Sequence, residues 1–355
     1  MALIASVRKN YPHVQFFLLV TEEFTTPDFN DKSVIVVNVS DLSIPSKELE
    51  WLRSYYDLVE FATALKPHLL LYILRLKFES VIFLDPDMLL LDKIDDVFSI
   101  AETSSAVLTP HRISPIRMGV SFYTDSTFLQ FGTFNLGFIA VGMNSVPFLE
   151  WWAERLQFFC TRHVEDLYFT DQKWVNLAPA YFECTILKDP GLNLAPWNLD
   201  ERPLKFQNNK LYSKDVKLRL VHFSQMSSDL AAGKTSNLWS TMFKDHADES
   251  IEIIERITAE YSENLIQIKE TLGLNSYPKS KGRNSTLYKV LKLASYEKGY
   301  KNSILGMIVE NLIDFTKLLN AFDKSVTYSS LIRAIPKDLV KVRKRLSVPK
   351  KPKPS

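Results

Sequence analysis

The chain predicts an α/β fold, a mixed, mostly parallel sheet flanked by helices and followed by a helical appendage. Three observations carry that prediction. Short apolar runs without alternation recur along the first 225 residues, helix-like stretches separate them, and the pattern turns polar and helical near residue 245. At 355 residues the chain is long enough for one large domain with a sizeable core and a smaller extension.

Residues 2–9 have helical spacing. Val14 to Val20 (VQFFLLV), bounded by Pro12 and a polar stretch, reads as a buried strand, and Ser33 to Val39 as a second. Tyr56 to Leu76 has a long helical pattern with Pro67 inside it, which predicts a kink or a break. Ser80 to Leu84 is apolar and runs directly into Asp85-Pro86-Asp87. Ser105 to Leu108 and Phe134 to Val141 are further strand candidates, with a polar loop between them at 110–130. Val146 to Cys160 and Thr170 to Leu177 read as helices. Short strands follow to Leu218–Phe223, and Glu249 to Leu272 is a polar helix. These changes divide the chain into 1–245, a helical extension at 246–336 and a basic tail at 337–355.

Composition excludes several function classes. A net charge of +2 gives no general attraction to polyanions, so nucleic acid is not an expected partner. Two cysteines without a paired spacing predict neither a disulfide framework nor a zinc module. No apolar run is long enough to span a bilayer and no signal peptide is evident, so the expected location is cytoplasmic. The apolar positions at 304–322 and the lysines and arginines after 337 add an expected peripheral contact with an anionic membrane face.

The chemistry centres on Asp85 and Asp87. Two carboxylates one residue apart at a strand end both reach a divalent cation when the turn breaks the strand's alternation. Oxygen ligation favours Mg²⁺ or Mn²⁺, and an added imidazole tilts the choice to Mn²⁺. Alone the pair reads more readily as a strand-to-loop turn with solvated acids.

Beyond this pair the chain carries YDLVEFATALKP (56–67), VIFLDPDMLL, FNLGFIAVG, TDQKWVNL, DPGLNLAPWNLDER and LVHFS, in that order. Together they resemble bacterial GT-A-type nucleotide-sugar transferases related to glycosyltransferase family eight, over about residues 2–270. The resemblance implies a Rossmann-like GT-A fold and transfer of a sugar from a nucleoside diphosphate donor. The acceptor would be a cell-surface glycan or a lipid-linked precursor of one, as in polysaccharide or lipopolysaccharide synthesis, and the outcome retention of anomeric configuration. It implies that Asp85 meets donor and metal, Asp87 chelates, and His222, also at a strand end, is the third ligand. It implies that Lys66 reaches the donor and that Asn135 and Gly137 hold the sugar. Asp171 and Gln172 would then lie beside the anomeric carbon. No strong nucleophile stands there, and a front-face substitution, with the leaving phosphate as base, needs none.

Trp197 and Asn198 are candidates for the acceptor, and Arg202 for phosphate. Each residue also has a plainer reading: core histidine, solvated lysine, turn glycine, helix cap, buried tryptophan. The chain departs from the pattern in two places. The strand that precedes the first helix in family members is missing here, by truncation, a late start or replacement by another segment. Gln225 stands where the family has glycine, and the lysine after the histidine has no counterpart close enough to assign, Lys234 being distant. A non-catalytic transferase-like scaffold and an inverting enzyme are therefore the competing readings.

Overall fold

The structure, a computed structural model, describes residues 2–21, 32–116, 123–162, 168–224 and 248–271. In chain order the elements are α1 (Ala2–Asn10), β1 (Phe16–Val20), β2 (Val34–Asn38), α2 (Ser46–Tyr55), α3 (Leu58–Ala64), α4 (Lys66–Arg75), β3 (Ser80–Leu84), β4 (Met88–Leu90), α5 (Asp95–Thr103), β5 (Ala106–Pro110), α6 (Asp125–Phe131), β6 (Phe134–Gly142), α7 (Val146–Leu156), α8 (Gln172–Val175), α9 (Ala178–Tyr181), β7 (Cys184–Ile186), β8 (Leu204–Gln207), β9 (Lys210–Ser213), β10 (Val216–Lys217), β11 (Leu220–His222) and α10 (Asp248–Thr271).

The sheets are mixed, as the sequence predicts, but among the described residues antiparallel pairings outnumber parallel ones. β1 and β2 pair in parallel, and a four-stranded sheet runs β3-β6-β5-β7. Within it β6 is antiparallel to both β3 and β5, and only β5 and β7 are parallel. The reason for the difference is burial. All nine residues of β6 are buried, so neither face shows the polar alternation that usually marks an antiparallel strand. β4 and β11 pair antiparallel as a separate ribbon, and β8, β9 and β10 form a three-stranded meander. β1 is half-buried along its whole length, less deeply covered than its apolar run suggests.

The long helical pattern at 56–76 does break, at Leu65. Asp57 caps α3 by accepting from the backbone N–H groups of Val59 and Glu60, and Pro67 falls in the first turn of α4, where its missing N–H costs nothing. That break turns Lys66 inward. Tyr56 and Glu60 hold the same corner. The Tyr56 hydroxyl donates to Leu156 O at 2.7 Å and accepts from Cys160 N at 2.9 Å. The Glu60 carboxylate accepts from Arg162 N at 2.8 Å. The 56–67 motif thus clamps α3 and α4 to the chain that follows α7.

One core cluster joins Leu3 and Val7 of α1, Met88 and Leu90, Val97 and Ala101 of α5, and Phe138 and Ala140 of β6. A second joins Val221 and Phe223 to Ile253, Ile254, Ile257 and Tyr261 of α10. Each of those isoleucines contributes about 2 kcal/mol of burial as an upper figure. Compact units divide at Asn284/Ser285, so α10 packs with the first unit although the sequence pattern changes near 245. Residues 285–355, with the amphipathic stretch and the basic tail, lie outside the described residues, as do Gln225 and Lys234. Both cysteines are free thiols. Among the described residues no helix is long and apolar enough to cross a membrane.

Candidate metal centre

The site forms where strand ends meet. β3 pairs with β6 up to Leu84 opposite Phe138, and Asp85 N then donates to Gly137 O at 2.8 Å. Asp85 closes a tight turn by accepting Met88 N–H at 3.1 Å, which sends the chain into β4. β4 pairs with β11 so that His222 stands opposite Met88, and Phe223 N donates to Asp87 O at 2.8 Å. Asp85, Asp87 and His222 thereby come together, with one ligand atom from each lying within 4.8 Å of the others.

The packing leaves room for this approach only because residue 137 is glycine. A Cβ there would stand 2.6 Å from His222 Cε1, 2.9 Å from Asp85 Oδ2 and 2.9 Å from Met88 Cε. His222 is buried on its other sides, with the Trp197 ring edge-on at 5.3 Å. Phe223 beside it stacks on Tyr261 at 4.0 Å, which ties α10 to the site.

Asn135 lies beneath the histidine. Its Oδ1 accepts from Gly137 N at 3.2 Å and from Asn193 Nδ2 at 3.0 Å, and His222 Nδ1 meets the same oxygen at 3.2 Å. A backbone N–H can only donate, so the shared atom is an acceptor and His222 Nδ1 carries the proton. Nε2 then presents a lone pair to Asp87 Oδ1 at 3.2 Å. Two acceptors face one another there, an arrangement relieved by a proton or a cation between them. The donor set of two carboxylates and an imidazole, with the space kept by Gly137, fits a divalent cation. Burial works against ionisation of Asp87, and its carboxyl falls below its ordinary range only with a proton or cation between it and His222, Lys66 adding to the effect from farther off.

Lys66 is buried beside the triad. Its Nζ is 3.3 Å from Asp85 Oδ1 and 2.9 Å from Asp171 Oδ2, donates to Leu136 O at 3.0 Å, and sits 4.7 Å from the centre of the Phe83 ring. The Asp171 contact is a buried ion pair. Burial opposes the charge on Lys66, yet Asp171 and Asp85 more than offset it and raise its pKa. Burial also raises the Asp171 carboxyl, against the pull of Lys66. Thr170 presents Asp171 from a left-handed backbone at φ 49°, strained for a β-branched residue, and donates to its Oδ1 at 3.1 Å. Gln172 opens α8 and donates from Nε2 to Phe131 O at 2.8 Å.

The remaining predicted residues serve the frame. Asn198 is buried and its amide is spent on backbone: Oδ1 accepts from Ala195 N, and Nδ2 donates to His111 O and Asn193 O, each at 3.0 Å. Trp197 is buried too and packs between His222 and His111, its Nε1 lacking a hydrogen-bond partner among the described residues. Arg202 does not reach outward to phosphate. It is buried, donates to Leu192 O at 2.6 Å and lies 3.7 Å from Glu201.

Two residues were missed. Asn193, in a left-handed conformation at φ 57°, links Thr109 to Asn135 through Nδ2. His111 receives the Asn135 amide at 3.4 Å, and burial lowers its pKa to about 4, so it is neutral at pH 7. A signal for His111 existed, since it ends the apolar run Ala106–Pro110 as His222 ends its own. A cleft of about 520 Å³ between Ala2, Ser6, Lys9, Leu90, Glu260 and Asn264 holds none of the triad.

No protein-family model matches the chain. Over 222 residues, which are 60% of this chain and 68% of its relative, the sequence is 28% identical to the uncharacterized protein YfnD of Bacillus subtilis (strain 168). That name carries no activity to this chain, and the functional reading rests on the site.

Proposed function

We propose that the protein is a metal-dependent glycosyltransferase that moves a sugar from a nucleoside diphosphate donor to a glycan or glycolipid acceptor, with retention. The observation that carries the reading is the meeting of Asp85, Asp87 and His222 beside the Lys66–Asp171 pair at one group of strand ends. Asp85, Asp87 and His222 would hold Mn²⁺, which supplies positive charge to the diphosphate as the glycosidic bond to phosphate breaks.

The protein's own groups do the rest. Lys66 stands between Asp85 and Asp171 and adds a fixed cation beside a dianionic leaving group. Asp171 takes hydroxyls of the transferred sugar, and Gln172 lies near its anomeric carbon. With no strong nucleophile among these residues, the acceptor hydroxyl attacks on the face that the phosphate leaves. Its proton passes to the departing phosphate, which conserves atoms and charge.

Location at the inner membrane face, through the basic tail, belongs to the same proposal. Incubation of the full chain with a panel of nucleotide sugars, Mn²⁺ and simple glycoside acceptors tests the activity, and nuclear magnetic resonance of the product tests the stereochemistry. The reading expects nucleoside diphosphate release and an unchanged anomeric configuration. An inverted product overturns retention, and release that ignores Mn²⁺ overturns the metal.

A further inference from the structure

We infer that Asn135 is a positioning residue of the metal centre, acting through His222 rather than on the donor sugar. The inference rests on the metal reading of the preceding subsection. It grows from the occupancy of one oxygen atom. Asn135 Oδ1 meets three donors: Gly137 N at 3.2 Å, Asn193 Nδ2 at 3.0 Å and His222 Nδ1 at 3.2 Å. A carbonyl oxygen offers two lone pairs, so three donors saturate it and leave nothing for a sugar hydroxyl. The amide's other end is engaged as well, Nδ2 meeting His111 Nε2 at 3.4 Å.

Neither the amide nor its partners are free to turn. Asn135 is 7% exposed, and Asn193, fully buried, is pinned by Thr109 Oγ1 at 3.0 Å and by Asn198 Nδ2 on its carbonyl at 3.0 Å. The Gly137 N–H fixes which end of the amide is oxygen, because it cannot accept. A reversed amide would set N–H against N–H at two contacts. The oxygen in turn fixes the histidine tautomer. His222 therefore keeps its proton on Nδ1 and aims the bare Nε2 at the side of Asp87. A ligating imidazole whose other nitrogen donates to an oxygen is held in ring orientation and made a better ligand. Loss of such a partner typically weakens metal binding by about 10–100-fold. Carboxylates and backbone carbonyls are the usual partners, and here a side-chain amide takes that place.

The experiment is a titration of the donor-free full chain with Mn²⁺, reading free Mn²⁺ by electron paramagnetic resonance. The chains compared are wild type, His222→Ala, Asn135→Leu and Asn135→Asp. Asn135→Leu, near in volume but without an acceptor, is expected to weaken binding about 10–100-fold. Asn135→Asp, which keeps an acceptor for Nδ1–H, is expected to stay within a few-fold of wild type or bind more tightly. Wild-type affinity in Asn135→Leu overturns the inference, and so does equal loss in the Leu and Asp variants, which marks packing alone.

A second readout stands if Asn135→Leu does not fold. Long-range proton–nitrogen correlation of the wild-type chain loaded with diamagnetic Zn²⁺ is expected to show the His222 proton on Nδ1 and the metal on Nε2, and the opposite assignment overturns the inference. The two readings fail separately. If His222→Ala binds Mn²⁺ as wild type does, or if the wild type binds none, the metal centre itself falls and the inference with it. If His222→Ala loses binding and Asn135→Leu does not, only the role of Asn135 falls.

Discussion

Gly137→Ala is the smallest change that strikes the site, and its size follows from three distances. The new methyl would stand 2.6 Å from His222 Cε1 and 2.9 Å from both Asp85 Oδ2 and Met88 Cε. Ordinary carbon contacts are about 3.5–4.0 Å, so the imidazole must retreat by about 1 Å. Metal–ligand distances tolerate about 0.2 Å, so the displaced ring no longer serves the same ion. Mn²⁺ affinity, measured by isothermal titration calorimetry without donor, should fall at least about tenfold. Overpacking should cost about 1–3 kcal/mol, lowering the melting temperature by about 2–12 °C for a domain of this size. Gly142→Ala is the control. It adds a methyl 2.4 Å from the backbone oxygen of Ala101, some ~17 Å along the same strand from residue 137. It should lose stability and keep Mn²⁺ affinity. Wild-type affinity in Gly137→Ala would refute the reasoning, and so would equal affinity losses in both variants.

Two further outcomes follow from the buried titratable groups. Lys66→Met leaves Asp85 and Asp171 without their shared cation and should cost about 3–5 kcal/mol at pH 7 by urea denaturation. The Asp171 carboxyl is already raised, so acid protonates it and the cost should shrink toward pH 5; a cost that grows there would contradict the account. His68 and His111 are held neutral, each lowered to about 4, chiefly by burial. In the unfolded chain histidine titrates near 6.5, so the unfolded state takes up protons first as pH falls. The stability these imidazoles contribute is complete above about pH 6.5 and is lost toward pH 4, at about 1.4 kcal/mol per pH unit for each. His68→Gln and His111→Gln should each flatten that slope by one proton, and a variant with the wild-type slope would contradict its burial.

How much of this was legible in the sequence depends on which property each residue expresses locally. Strand ends were legible, because SVIFL stops at Asp85 and LRLV stops at His222, and both acids and the imidazole do converge. Pro67 showed the helix break that turns Lys66 inward. The direction of β6 was hidden by its burial on both faces, which erases alternation. The motif around DPGLNLAPWNLDER drew attention for its Trp, Asn and Arg. Its work is largely internal, since Asn193 braces Asn135, Asn198 ties backbone to backbone, and Arg202 is 1% exposed. A polar residue facing a ligand and one facing a buried carbonyl look alike in a string of letters. Only the fold tells them apart. Near 245 the pattern turns polar, yet α10 is polar on one side while Ile253, Ile254, Ile257 and Tyr261 cover Phe223 and Val221 on the other.

Asp85, Asp87 and His222 are proposed to hold a divalent cation that transfer requires. The most direct measurement compares Mn²⁺-dependent sugar transfer, or nucleoside diphosphate release, by the wild-type chain and by Asp87→Ala across the donor panel. Wild-type turnover is expected to begin with Mn²⁺ and to be abolished by EDTA, and Asp87→Ala, although folded, is expected to show none. Metal-dependent turnover retained by Asp87→Ala would contradict it.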